Sequence, residues 1–83
     1  MQEIIIVEGR WVFVGMVTVQ DSELHLKDAW NVRVWGTGRG LGQLALSGPT
    51  SSTALDFYGD MIIPMHAVLG RITCRVAVEG KKK

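Results

Sequence analysis

Hydrophobic and polar residues alternate along most of this chain, and the alternation is clearest near its carboxyl end. Across residues 68–79 the even-numbered positions are apolar or glycine, and the odd-numbered positions are mostly polar. A period of two over such a length is typical of a β-strand with one buried face and one solvent-facing side. Gly70 leaves a gap on the apolar face, which predicts a bulge or bend there. We therefore expect a strand over about residues 67–79.

Three further strands are predicted in the first half of the chain, at about residues 3–8, 11–19 and 23–35. The second is apolar on both faces and has Gly15 at its centre, which predicts a strong bend or a close approach of backbone. In the third, Asp28 falls on the apolar face. Because an unpaired buried carboxylate is costly, we expect a bulge, a bend or an exit from the core at that position.

A short fourth strand is predicted at about residues 61–65, where Pro64 lacks an N–H group and so belongs at an edge or a strand end. Before it, over residues 36–60, the alternation disappears. Apolar residues spaced i, i+3, i+4 then precede a Gly-Pro pair, which predicts one or two helical turns. The residues concerned are Leu41, Leu44, Ala45, Gly48 and Pro49.

Together these elements predict an all-β fold: a small, strongly bent, five-stranded antiparallel open barrel with a loop or short-helix insertion before the fourth strand. All 83 residues form a single domain in this prediction. A domain of this size is marginally stable alone, and an open barrel leaves unpaired edge strands. The apolar residues of the fourth strand therefore predict self-association, and head-to-tail pairing that closes would give a ring.

Composition excludes several classes of protein. With 47% hydrophobic and 20% charged residues, the chain is not of the disordered type. Apolar runs such as residues 4–7 are far shorter than the ~18–20 residues of a membrane span, and no leader resembling a signal peptide precedes them. We expect a soluble, cytoplasmic protein without a membrane partner.

The formal net charge of +1 conceals an asymmetry. Three of the nine basic residues are Lys81, Lys82 and Lys83, and the other six basic and eight acidic residues leave a net charge of −2. Proteins that bind nucleic acid through a folded face usually carry a basic patch, which the sequence before this tail does not indicate.

No catalytic constellation is visible in the sequence. The glycine-rich residues 36–42 fit neither the dinucleotide-binding nor the P-loop pattern. His25 and His66 have no nucleophile nearby in the sequence, and one cysteine with two histidines does not make a metal site. We therefore predict a protein that is not an enzyme, with no catalytic residue, cofactor, metal ion or small-molecule substrate.

The single cysteine and the three tryptophans have structural interpretations. Cys74 falls on the apolar face of the last strand and is predicted to be a small buried hydrophobe. Trp30 is predicted in the core, and Trp11 lies in a strand that is apolar on both faces. Trp35 is the tryptophan predicted to be exposed, with packing between subunits as its use.

Two stretches resemble the paired motifs of the Sm family. Residues 9–17 (GRWVFVGMV), followed by residues 24–29 (LHLKDA), resemble the first Sm motif. Residues 63–68 (IPMHAV) are similar to the second, in the form found in bacterial Hfq. The chain as a whole, including residues 35–37 (WGT) and 40–46 (GLGQLAL), is similar to small Sm-like proteins of phages and prophages.

This resemblance covers roughly residues 3–79 and implies a ring of Sm barrels joined through the fourth and fifth strands. It implies a non-enzymatic protein whose partners are its own copies and RNA, located in the host-cell cytoplasm if encoded by a phage. The predicted interface residues are Met61, Ile62, Ile63, Pro64, Val68 and Ile72. The predicted RNA contacts are Met65, His66, Lys81, Lys82 and Lys83.

Departures from the family pattern keep a second hypothesis open. Asp21, Ser22 and Glu23 stand where RNA-binding Sm proteins have aromatic, apolar and amide residues. Pro64 and Met65 replace the Arg-Gly pair of the second motif. RNA recognition needs stacking planes and positive charge, which these positions do not supply. The alternative is a structural or protein-interaction ring component of a phage with no role in nucleic-acid binding.

Overall fold

The five predicted strands form one antiparallel sheet in the order β4-β3-β2-β1-β5, in a computed structural model that describes residues 2–80. Its elements are β1 (Gln2–Val7), β2 (Trp11–Gln20), β3 (Glu23–Val34), α1 (Leu41–Ser47), β4 (Ala54–Pro64), a 3₁₀ turn (Met65–Ala67) and β5 (Val68–Thr73). The all-β fold with a short helix before the fourth strand is thereby confirmed.

The fourth strand is much longer than predicted. It starts at Ala54 and not at residue 61, so the predicted insertion over residues 36–60 is wrong in its last part. Gly59 has a φ of 83° and lies at a bulge where the β3–β4 register shifts. Residues 58–60 have the composition of a turn, but they lie inside a continuous strand. The bulge breaks the alternation that would have revealed the strand.

The fifth strand is shorter than predicted, because it ends at Thr73 and not at residue 79. Beyond it lie residues 74–80, which we call the C-terminal segment. Cys74 makes a last backbone hydrogen bond to β1, and the residues after it cross one face of the sheet. The Arg75 N–H donates to the Ala45 carbonyl of α1 at 2.7 Å. The Gln2 side chain then clasps the Val78 backbone, accepting from its N–H at 2.7 Å and donating to its carbonyl at 3.1 Å.

The β2–β3 strand pair is irregular at two residues, Gly15 and Asp28. At Gly15 a β-carbon would stand 3.0 Å from the Lys27 carbonyl oxygen, so the close approach predicted for this glycine is confirmed. At Asp28 the backbone has a φ of 53°, the register shifts and the side chain is exposed, so of the three predicted alternatives the structure shows the bulge. Because of this shift, β3 sends Leu26 and Trp30 into different hydrophobic clusters.

The helix-side cluster lies beneath α1 and the C-terminal segment. It contains Ile4, Val12, Val14, Trp30, Val32, Leu44, Ala45, Cys74 and Val78. The indole of Trp30 is buried, as the sequence predicts, and meets the ring of Phe57 edge-on at 4.9 Å between centroids. Burial of a side chain of this size contributes about 3 kcal/mol of transfer free energy.

A second cluster fills the other side of the bent sheet, where β4 approaches the β1–β2 hairpin. We call this line of approach the seam and the cluster the seam-side cluster. Its buried members are Ile5, Phe13, Leu24, Leu26, Ala29 and Ile63. Three partly buried residues pack against this cluster: Met61 from β4, Met65 from the 3₁₀ turn and Val68 from β5.

The connection between β3 and β4 is folded against the end of β3. The Thr53 hydroxyl donates to the Trp35 carbonyl, and the Thr50 hydroxyl donates to the Gly36 carbonyl, both at 2.7 Å. At Gly36, where φ is 66°, the backbone of Ser52 passes so closely that an added β-carbon would stand 2.4 Å from it. The polar residues before β4 therefore close a fixed turn.

Candidate functional site

The strand order leaves β4 and β5 at opposite edges of the sheet. The Met65 N–H donates to the Ser22 carbonyl at 2.9 Å, and antiparallel alternation then directs the backbone of Ile62 away from β3. On the other edge, the Cys74 N–H donates to the Gln2 carbonyl at 2.9 Å. The same alternation directs the backbone of Arg71 away from β1. Each edge thus presents unpaired hydrogen-bonding groups within the described chain.

An apolar groove runs beside the free edge of β4, and we call it the seam groove. It has a volume of about 330 Å³. It is lined by Val7, Trp11, Phe13, Tyr58, Met61, Ile62, Ile63, Pro64 and Ala67. None of these side chains carries a charge.

Aromatic rings from non-adjacent strands form the walls of the seam groove. Phe13 of β2 meets Tyr58 of β4 at 5.6 Å between ring centroids, so the sheet bends far enough for these strands to touch. Trp11 stacks against Phe13 at 6.2 Å with an interplanar angle of 7°. Trp11 and Tyr58 are each 51% exposed and Ile62 is 56% exposed. A contiguous exposed apolar surface beside a free strand edge is typical of an interaction site.

The structure brings four of the predicted interface residues together in this groove, Met61, Ile62, Ile63 and Pro64. Ile62 and Pro64 are exposed, whereas the side chain of Ile63 is buried in the seam-side cluster. The other two predicted residues, Val68 and Ile72, lie half-buried on β5 and pack against the clusters of their own chain. Predicted interface positions therefore occur on both free edges.

The most exposed apolar side chain of the β5 edge is Leu69, at 65%. Ile6 pairs with Gly70 and Val7 pairs with Val68, so Leu69 is the extra residue of a bulge. Arg71 brings no unpaired charge to this edge, because its guanidinium makes two hydrogen bonds to the Glu3 carboxylate at 2.8 and 3.0 Å.

Sequence reasoning missed Leu69, Trp11 and Tyr58 as surface residues. Leu69 carried a signal, because it is a large apolar residue on the otherwise polar face of its strand. Tyr58 carried none, since it lies in the part of β4 that was predicted to be a turn.

The residues predicted to contact RNA differ in their exposure. Met65 is half-buried and packs against the seam-side cluster, whereas His66 is exposed in the 3₁₀ turn between β4 and β5. Lys81, Lys82 and Lys83 lie outside the described residues. Among the described cations, Arg33 pairs with Asp56 at 2.9 Å, and Arg71 pairs with Glu3.

A second depression of about 550 Å³ lies on the outer face of β2, β3 and β4. Its polar lining residues are Thr18, His25, Lys27 and Asp60. The Asp28 N–H donates to the Asp60 carboxylate at 3.1 Å, and His25 Nε2 lies 3.4 Å from a Glu23 carboxylate oxygen. Neither serine nor cysteine lies among these lining residues.

Cys74 is buried, as predicted, and burial raises the pKa of its thiol, with a smaller contribution from the negative charge of Glu3. A thiol held in its neutral form and away from solvent is a poor nucleophile. Within residues 2–80, no group of three or more His, Cys, Asp or Glu side chains is placed to hold a metal ion.

The same described range contains no helix with the length and apolar character needed to cross a membrane. The seam groove borders the free edge of β4, and Leu69 lies on the other free edge, that of β5. Comparisons of the chain with protein-family models, with curated proteins and with solved structures gave no match.

Proposed function

We propose that this protein is a non-enzymatic, Sm-like, self-assembling protein in which β4 of one copy pairs with β5 of the next until a ring closes. The observation that carries the proposal is the uncharged, exposed seam groove along the free edge of β4. The resemblance of residues 9–17 and 63–68 to Sm motifs supports the same mode of assembly.

Uncovered strand edges carry a risk of aggregation. Soluble monomers protect an edge strand with charges, prolines or short length. β4 has 11 residues. Asp56, Asp60 and the bulge at Gly59 protect its first part, whereas residues 61–63 before Pro64 are apolar and uncharged. A single domain of this size buries only about 60% of its unfolded surface. Pairing of β4 with another strand would satisfy its backbone groups and cover Ile62 and Tyr58 together.

Two different edges favour a head-to-tail contact over a symmetric dimer. A two-fold dimer would pair one edge with itself and leave the other edge free. Pairing of β4 with β5 uses both edges in every copy and closes when the rotation between neighbours divides a full turn.

Of the two versions of the function, a ring that acts in structure or in protein interaction fits the described residues better than an RNA-binding ring. The six basic and eight acidic residues of the described part leave a net charge of −2, and Arg33 and Arg71 are already paired with carboxylates. RNA binding is driven largely by cations that neutralise phosphates. His66 is the exposed position that the RNA-binding version retains.

Ile62→Arg is expected to dissociate the assembly, because it places a charge at the centre of the β4 contact. The side chain is 56% exposed in the single chain, so the fold should tolerate the change. Size-exclusion chromatography with light scattering at micromolar concentration should show an oligomer for the natural chain and a monomer for the variant.

The matched control for this experiment is Leu46→Arg. Leu46 is an exposed apolar residue of α1, outside the seam groove, and its variant should assemble like the natural chain. A natural chain that remains monomeric, or an Ile62→Arg variant of unchanged mass, would contradict the proposal.

RNA binding by the folded part should be absent. Oligo(U) and oligo(A) are titrated at rising salt against the full chain and a variant that ends at Gly80, with fluorescence anisotropy as the readout. We expect any binding by the full chain to be weak, to fall steeply with salt and to vanish in the shortened variant. Binding that survives the shortening and is lost in His66→Ala would instead establish the RNA-binding version.

A further inference from the structure

We infer that Leu69 of one copy inserts into the seam groove of its neighbour. This inference rests on the proposed head-to-tail assembly and adds to it the side chain that fits the groove. It assigns a partner surface to a residue outside the interface that the sequence predicts.

Leu69 protrudes because of the backbone around it. As the extra residue of the β5 bulge, it has no partner on β1. Gly70 beside it has no side chain, and a β-carbon there would meet only the tip of Ile6, at 3.6 Å. The leucine is thus 65% exposed at an edge, next to residues that do not shield it.

The seam groove matches this side chain in chemistry. Its nine lining residues are uncharged, and two of them, Trp11 and Tyr58, expose half of their surface. A leucine placed between them would cover both rings and lose its own contact with water. The nearest charge on β5, that of Arg71, is already paired with Glu3, so it would enter the contact as a neutralised pair.

The free backbone groups permit a register in which Leu69 stands beside the seam groove. If the outward-facing Ile62 of β4 is paired antiparallel with the outward-facing Arg71 of a neighbour, Leu69 stands opposite Pro64. Pro64 borders the seam groove and has no N–H to donate. Side-chain insertion, and not another ladder hydrogen bond, would therefore hold this end of the contact.

Cysteine cross-linking tests the inference on the full chain. The variants Leu69→Cys and Pro64→Cys are mixed and oxidised, and the product is separated on non-reducing gels. We expect a mixed dimer that contains one chain of each kind, and a ladder of covalent oligomers from the double variant. The natural chain is the background control, because Cys74 is buried. Leu46→Cys mixed with Leu69→Cys is the off-site control and should give no enriched dimer.

Leu69→Asp gives an independent readout. We expect the concentration at which the assembly half-dissociates to rise at least tenfold, equivalent to about 1.4 kcal/mol, with no loss of folded structure by circular dichroism. Leu46→Asp should leave it unchanged. If the natural chain is oligomeric but Leu69→Asp assembles normally and the cysteine pair does not cross-link, the role of Leu69 is overturned while the ring survives. A monomeric natural chain overturns both.

Discussion

Gly36→Ala is expected to lower the free energy of unfolding by roughly 2–4 kcal/mol. Two effects act at this position. The backbone has a φ of 66°, a region that disfavours residues with a β-carbon, and the new methyl group would stand 2.4 to 2.6 Å from the backbone of Ser52 and Thr53. Backbone atoms held by the Thr50 and Thr53 hydrogen bonds cannot move aside without breaking those bonds.

Two other glycines of the same connection separate these effects. Gly40 has a φ of 79° and a ψ of −158° with open space around it, so Gly40→Ala should cost only the conformational strain, about 1–3 kcal/mol. Gly42 lies in α1 with no atom within 4 Å of an added β-carbon, and Gly42→Ala should stabilise the protein by about 0.4–1 kcal/mol. Urea denaturation of the three variants measures the series. Equal effects at Gly36 and Gly40 would show that the contact with Ser52 is unimportant.

Val78→Asp is expected to destabilise the protein by about 3–5 kcal/mol, because it places an unpaired carboxylate in the helix-side cluster. Val78 is 0% exposed, and both of its backbone hydrogen-bonding groups are held by Gln2. The variant can escape this cost by releasing the C-terminal segment, so the measured loss reports the free energy with which that segment docks. Urea denaturation followed by tryptophan fluorescence is the measurement, since the segment covers Trp30.

Val76→Asp is the control for this substitution and also tests the end of β5. A strand continued to residue 79 would bury Val76 and Val78 alike on one face. The structure leaves Val76 44% exposed, so its variant should lie within about 0.5 kcal/mol of the natural chain. Similar losses at both positions would favour the longer strand.

The sequence is most informative where a single residue interrupts the pattern of a predicted strand. β1 and β3 are found within a residue or two of their predicted bounds, and the irregularities at Gly15 and Asp28 are found at the predicted residues. In each case a single residue violates an otherwise regular pattern. A glycine in a two-sided apolar strand, or a carboxylate on an apolar face, admits few structural solutions.

Prediction fails where the pattern depends on contacts distant in sequence. The first part of β4 is hidden because Gly59 shifts the register and Phe57 and Tyr58 are adjacent aromatics on opposite faces. The end of β5 is misjudged because residues 74–80 keep the alternation of a strand while hydrogen bonding to α1 and to the side chain of Gln2. No local signal separates a strand from an extended segment that lies across a sheet.

The candidate surface is predicted in part for the same reason. The apolar residues 61–63 beside Pro64 suffice to indicate an edge strand. The groove itself needs the bend that brings Phe13 to Tyr58, two residues 45 positions apart on strands that are not neighbours in the sheet. Curvature of this kind emerges from the bulges and from packing, so only the structure reveals it.

The clasp between Gln2 and Val78 has a consequence for the order in which the protein folds. It joins residues 76 positions apart, and the helix-side cluster takes Ile4 from one end of the described chain and Val78 from the other. Contacts of such long range carry the largest loop-closure entropy and form after the local hairpins. We therefore expect the hydrogen bonds between Gln2 and Val78 to form after the folding transition state. Removing them should raise the unfolding rate far more than it lowers the folding rate.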